Sequence, residues 1–148
     1  MSMKKATALL LSIIFAFSLA SCQLFSSDDK KEYSSNYTAF ITEKNSSNGS
    51  NQPDESMLNT YISILTGDSV CEAVRKSLDI KYTKGEIKNS IQANVADNSK
   101  IIQITATAET PENAYKIAKA HTSVAPQYIT MYSEGASMKI IDYPKLSK

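Results

Sequence analysis

Catalysis at neutral pH needs side chains that hold a proton, attack, or ligate a metal, within reach of one another. This chain offers one histidine, His121, and two cysteines, Cys22 and Cys71. On the inner or boundary face of a long helix, His121 reads as a packed or half-exposed residue rather than a base. The adjacent carboxylates Asp54 and Glu55 are better explained as a helix start, and Asp28 and Asp29 lie in a polar spacer. No run of His, Cys and carboxylate has metal-ligand spacing, and the four glycines compose no phosphate loop. No catalytic residue, metal or cofactor is therefore expected, and the chain reads as a non-enzyme. Tyr115, Tyr128 and Tyr132 combine apolar rings with a hydroxyl and are the candidate interface or glycan-contact residues. Tyr128 and Tyr132 are four apart on one helix, which also suits packing or a subunit contact.

Cys22 carries a different chemistry. Lys4 and Lys5 precede the apolar run ATALLLSIIFAFSLA at residues 6–20, the length of a signal-peptide core. Leu19-Ala20-Ser21-Cys22 resembles the lipobox of bacterial lipoproteins, which implies a diacylglyceryl group on Cys22 and cleavage before it. Two or three acyl chains anchor stably, at ~0.8 kcal/mol per buried CH₂, whereas one chain is marginal. The alternative extends the apolar run to Phe25, about 20 residues, as an uncleaved span. Both readings put the rest of the chain outside the cytoplasm, at the extracytoplasmic face of a cell membrane.

Cleavage would remove Lys4 and Lys5, leaving 14 of the 16 basic residues against 15 acidic ones, a charge of about −1. Without clustered Lys and Arg there is no nucleic-acid footprint. The pairs Lys30-Lys31 and Arg75-Lys76 read as solvated, with lipid headgroups as the alternative. Cys71 is then the remaining thiol, so no intramolecular disulfide framework is available. Beside Val70 and Val74 on a helix it reads as a small buried hydrophobe, with an intermolecular bridge as the alternative.

The elements that must position these residues follow from periodicity and caps. Residues 1–21 are the signal peptide, and 22–35 a flexible spacer rich in Ser and charge. Residues 36–148 form one domain of about 110 residues, enough for a single core. Tyr37-Thr-Ala-Phe-Ile41 is a strand, and 44–53 a polar loop. Asp54 caps a helix bearing Met57, Leu58, Tyr61, Ile62 and Leu65, Gly67 ends it, and Asp68 caps the next. Thr83 and Glu86 form a capping box. Ile91, Ala93 and Val95, then Ile102, Ile104, Ala106 and Ala108, alternate as a hairpin. Thr110-Pro111-Glu112 opens a long helix whose stripe runs through Ala114, Ile117, Ala118, His121, Val124, Tyr128 and Tyr132. Pro126 interrupts that helix, with a bend near 122–126. Met138 to Tyr143 is the last strand. Strand, helices, hairpin, long helix, strand implies an α+β fold, a mixed four-stranded sheet with helices on one face.

Six segments, in order, resemble the Wzz-type polysaccharide chain-length determinants. They are Tyr37-x-Ala39, Tyr61-Ile-Ser-Ile-Leu65 with Val70, Leu78 before Thr83-x-x-Glu86-Ile87, Ile101-Ile-Gln-Ile104, Thr110-Pro111-x-x-Ala114-x-x-Ile117-Ala118, and Ile140-Ile141-Asp142. The resemblance spans residues 37–143. It implies a non-enzymatic extracytoplasmic domain that forms rings and sets the length of a surface glycan made by a membrane polymerase. Partners would be the membrane through Cys22, further copies of the chain, or a full-length determinant or its polymerase. The chain departs from the family at both ends, with a lipoprotein-type signal for the first membrane helix and no second helix before Lys148. Activation of a tyrosine kinase through a cytoplasmic tail, as in Gram-positive relatives, is therefore not expected.

Overall fold

A computed structural model describes residues 30–44, 49–97 and 99–147. The expected signal sequence, Cys22 and most of the expected spacer lie outside the described residues. Four strands and four helices follow in the order β1 (Tyr33–Glu43), α1 (Glu55–Leu65), α2 (Asp68–Ser77), α3 (Lys84–Ser90), β2 (Ile91–Val95), β3 (Ile101–Ala108), α4 (Pro111–Tyr132) and β4 (Ala136–Asp142).

Period-two alternation builds the sheet. Along β1, Ser35, Tyr37, Ala39 and Ile41 are buried while Ser34 and Asn36 face solvent. Ile102, Ile104 and Ala106 on β3, Ile91 and Ala93 on β2, and Ala136 and Met138 on β4 turn to the same side. The strand order is β2-β3-β1-β4. The fold is α+β as expected, but the sheet is antiparallel throughout rather than mixed. Each helical crossover skips one strand, β1 to β2 passing β3 and β3 to β4 passing β1, so strands of like direction are never neighbours. This is the split-βαβ arrangement, with α1 to α3 together filling the first crossover.

The sheet also starts earlier than its composition suggested. Tyr33, Ser34 and Ser35, expected as spacer, pair with Ala108, Thr107 and Ala106. Ladder pairing overrides weak local propensity here. Buried Ser35 finds its partner in the Lys145 carbonyl, 2.9 Å from its Oγ.

Caps set most of the helix boundaries. Asp54 accepts from the Met57 amide at 2.8 Å, and Thr110 from Asn113 at 3.2 Å with Pro111 behind it. Thr83 and Glu86 make the full capping box, and the Thr83 amide holds the Glu86 carboxyl below the usual range. Asp68, expected as a cap, is instead the first residue of α2, behind Gly67 as the N-cap. Its carboxylate pairs with Lys88 at 2.5 Å and Lys84 at 3.2 Å, joining α2 to α3. Gly67 leaves little room for a side chain, since a Cβ there would lie 3.0 Å from the Ser63 carbonyl oxygen.

The long helix α4 lies on β1, β3 and β4. Its buried stripe is Ala114, Ile117, Ala118, His121, Ala125 and Ile129, so Val124, Tyr128 and Tyr132 flank the core rather than fill it. Pro126 does not interrupt the helix, which continues through it to Tyr132. Cys71 is fully buried between Val70 and Val74 and unpaired, as its neighbours suggested, and burial raises its thiol pKa.

Candidate functional site

His121 is buried in the domain with no exposed surface. Its Nε2 is 2.8 Å from the Leu65 carbonyl oxygen, which can only accept, so Nε2 carries the proton. Nδ1 is then the acceptor for the Tyr37 hydroxyl at 2.6 Å. Burial pushes the imidazole pKa down to about 4 and the Tyr37 hydroxyl far up. His121 is therefore neutral at physiological pH with both nitrogens committed, and it ties β1, α4 and the end of α1 together. A ring held this way has no free nitrogen for an outside substrate.

A second, part-buried network closes the other end of β1. The Tyr61 hydroxyl donates to the Glu43 carboxylate and lies 3.2 Å from Ser133 Oγ. Burial first, and then the bond to Glu43, pushes Tyr61 up to about 12. Beside it, Gly135 takes φ +83° to turn α4 into β4, and its carbonyl accepts from the Lys44 amide at 3.1 Å.

The three candidate tyrosines do not form one site. Tyr128 and Tyr132 stack, ring centroids 6.2 Å apart at 26°, and the Tyr132 hydroxyl is 3.3 Å from Ser69 Oγ on α2. Tyr132 and its neighbour Met131 are exposed. Tyr115 stands roughly 20 Å back along the helix at ~1.5 Å per residue, under the Lys119 ammonium, 5.9 Å from its ring centroid. Arg75, expected to be solvated, makes a two-pronged pair with Glu72 at 2.8 Å for each bond, which lowers Glu72 to about 2. Lys76 lies 3.7 Å from the same carboxylate.

One concave surface was not foreseen. A cleft of about 1020 Å³ is bounded by Phe40, Ile101 and Ile141 from the strands and Leu58 and Ile62 from α1, with Asn94 and Lys100 at its margin. The signal was available: alternation in Tyr37-Thr-Ala-Phe-Ile41 puts Phe40 on the opposite side of the sheet from Ala39 and Ile41. Among the described residues, no three His, Cys, Asp or Glu side chains gather where a metal ion could be held. Among the same residues, no helix is long and apolar enough to cross a membrane.

What the fold and these surfaces define is an α+β domain with a closed core and an open outer sheet face. No family model matches the chain, and a search of curated proteins finds no match.

Proposed function

We propose that this protein is a membrane-tethered, non-enzymatic domain that takes part in assembly or chain-length control of a cell-surface polysaccharide. The observation that carries the reading is the ordered run of six motifs from Tyr37 to Asp142, which resembles the extracytoplasmic domain of Wzz-type chain-length determinants. Several of those motifs fall on element boundaries, the Thr83 capping box and the Thr110-Pro111 helix start among them. Anchoring comes from lipid on Cys22, and the domain acts by binding further copies of itself or a full-length determinant and its polymerase. Tyr128 and Tyr132, stacked and partly open at the end of α4, offer a surface for that contact or for glycan.

The test is the size distribution of surface polysaccharide in a deletion strain, complemented by wild type or by Cys22→Ala. A shifted distribution restored by wild type alone supports both length control and the anchor. An unchanged distribution in a strain shown to express the protein refutes the reading.

The cleft beside Phe40 favours a second reading, a lipoprotein that binds a solute or envelope partner on the same scaffold. It predicts a normal polysaccharide and retention of a ligand that Phe40→Ala releases.

A further inference from the structure

The segment after β4 does not leave the sheet. Pro144 is buried, Ser35 Oγ donates to the Lys145 carbonyl at 2.9 Å, and Ser147 Oγ donates to the Ser34 carbonyl at 3.2 Å. Residues 143–147 are thus pinned as a strap along the first residues of β1. Two large side chains on this strap remain open, Tyr143 at 66% and Leu146 at 51% exposure. They share a shallow groove with Asn36, Thr38 and Gln103, so both stand over the outer face of the sheet.

The place of the strap is what gives these residues a partner. The chain enters the sheet at Tyr33, beside the strap, and Cys22 precedes that entry by only 11 residues, a reach of at most ~40 Å when fully extended. An anchor on Cys22 therefore holds this end of the domain within a short radius of the bilayer, where even a small apolar patch finds the surface at high effective concentration. The composition suits an interface: a tyrosine and a leucine with exposed Lys145 between them, while the Asp142 carboxylate at the groove's edge accepts from Thr38 Oγ1 at 3.0 Å. The run Tyr143-Pro-Lys-Leu-Ser-Lys148 contains two lysines and no acid. Tyrosine favours the headgroup level, and lysines there favour anionic lipid.

We infer that the strap is a lipid-contact surface: Tyr143 and Leu146 dip into the headgroup region and orient the tethered domain with the start of β1 toward the membrane. This rests on the lipid-anchored reading of Cys22. The opposite end of β1, with the turn after Tyr132, points away.

The chain contains no tryptophan, so Tyr143→Trp introduces a single reporter. The full-length acylated protein is reconstituted in vesicles of phosphatidylethanolamine and phosphatidylglycerol carrying brominated acyl chains, and mass spectrometry of the Cys22 peptide measures acylation. The comparison is Tyr132→Trp, also exposed but about 20 Å away along the strand direction, since Asp142 pairs with Thr38 and the turn after Tyr132 meets β1 at Glu43. Bromine is expected to quench the reporter at 143 by half or more and the one at 132 by less than a tenth. Adding Leu146→Ser to Tyr143→Trp should at least halve the quenching. Acylated protein with equal quenching at the two positions overturns the inference and leaves the anchor standing. Protection of the reporter at 143 by concentration-dependent dimers, without bromine quenching, also overturns it and assigns the strap to a second copy. Absence of acyl groups on Cys22 removes the anchored reading, and this inference with it.

Discussion

The core of this protein should be acid-labile at a pH well above the usual carboxylate range, and His121 is the reason. Its folded pKa is pushed down to about 4 from an ordinary 6.5. Between those values the unfolded chain binds a proton that the folded one does not, so stability is complete above pH 6.5 and falls as the pH drops. At ~1.4 kcal/mol per unit, the loss is about 2 kcal/mol by pH 5 and about 3 kcal/mol by pH 4. Asp68, Glu72 and Glu86 also have lowered pKa values, but their contributions are lost only as pH falls below about 4.5 toward their folded values. The window from 6.5 to 5 thus isolates the histidine. Urea unfolding at pH 7, 6 and 5 measures it. Wild type should lose about 2 kcal/mol across the series. His121→Gln should be less stable at pH 7, by about 1–3 kcal/mol for the disturbed bonds to Tyr37 and Leu65, yet flat with pH. A flat wild-type profile, or an unchanged slope in His121→Gln, would refute the assignment of His121 as a neutral buried clip.

Three further outcomes follow from the geometry. Tyr61→Phe removes the donor to Glu43 and the contact to Ser133, and should lower unfolding stability by about 1–2 kcal/mol in urea. Gly135→Ala forces a side chain to φ +83° while its Cβ meets nothing closer than 3.6 Å, so the cost should be conformational alone, about 1–2 kcal/mol; a change under 0.3 kcal/mol would argue that the turn relaxes. Cys71, buried and with a raised thiol pKa, should react with a thiol reagent only as fast as the domain opens, and stoichiometric labelling of the native protein within minutes would contradict its burial.

The parts of the fold written in local chemistry were legible from sequence. The capping oxygens of Asp54, Thr83 and Thr110 each act within three residues, and the alternation of Ile91 to Val95 and Ile102 to Ala108 reports burial directly. What was missed depends on distant partners. Tyr33 to Ser35 look like spacer until β3 pairs with them. Asp68 looks like a cap until Lys84 and Lys88 arrive from α3. A stripe through Tyr128 and Tyr132 and one through Ala125 and Ile129 both fit a helical period, and the close approach of α4 to the sheet selects the small alanine. Tyr37 and His121 are 84 positions apart, so their hydrogen bond had no signature in the sequence. The candidate surfaces were the least legible part, since the cleft joins residues of two strands and a helix to one outward phenylalanine.

The motifs behind the polysaccharide reading divide sharply between scaffold and surface. Tyr37, Ala39, Tyr61, Leu65, Val70, Ile104, Ala114, Ile117 and Ala118 are buried, and Thr83, Glu86, Thr110 and Pro111 make caps. Residues in those roles specify how a chain folds, and any domain on this scaffold needs their equivalents. Ile101 and Ile141 are different. They point away from the core and meet Phe40 in the open cleft. Under the polysaccharide reading, Ile101 and Ile141 are thus matches left free to make a contact, whereas the core matches are taken up by folding. Ile101→Thr with Ile141→Thr should keep the urea midpoint near that of wild type, since neither side chain is fully buried. If the domain regulates glycan length through this face, the same pair should shift the polysaccharide size distribution as far as deletion does. A wild-type distribution from the folded double variant would move the contact to another surface, with the stacked pair Tyr128 and Tyr132 the next to change.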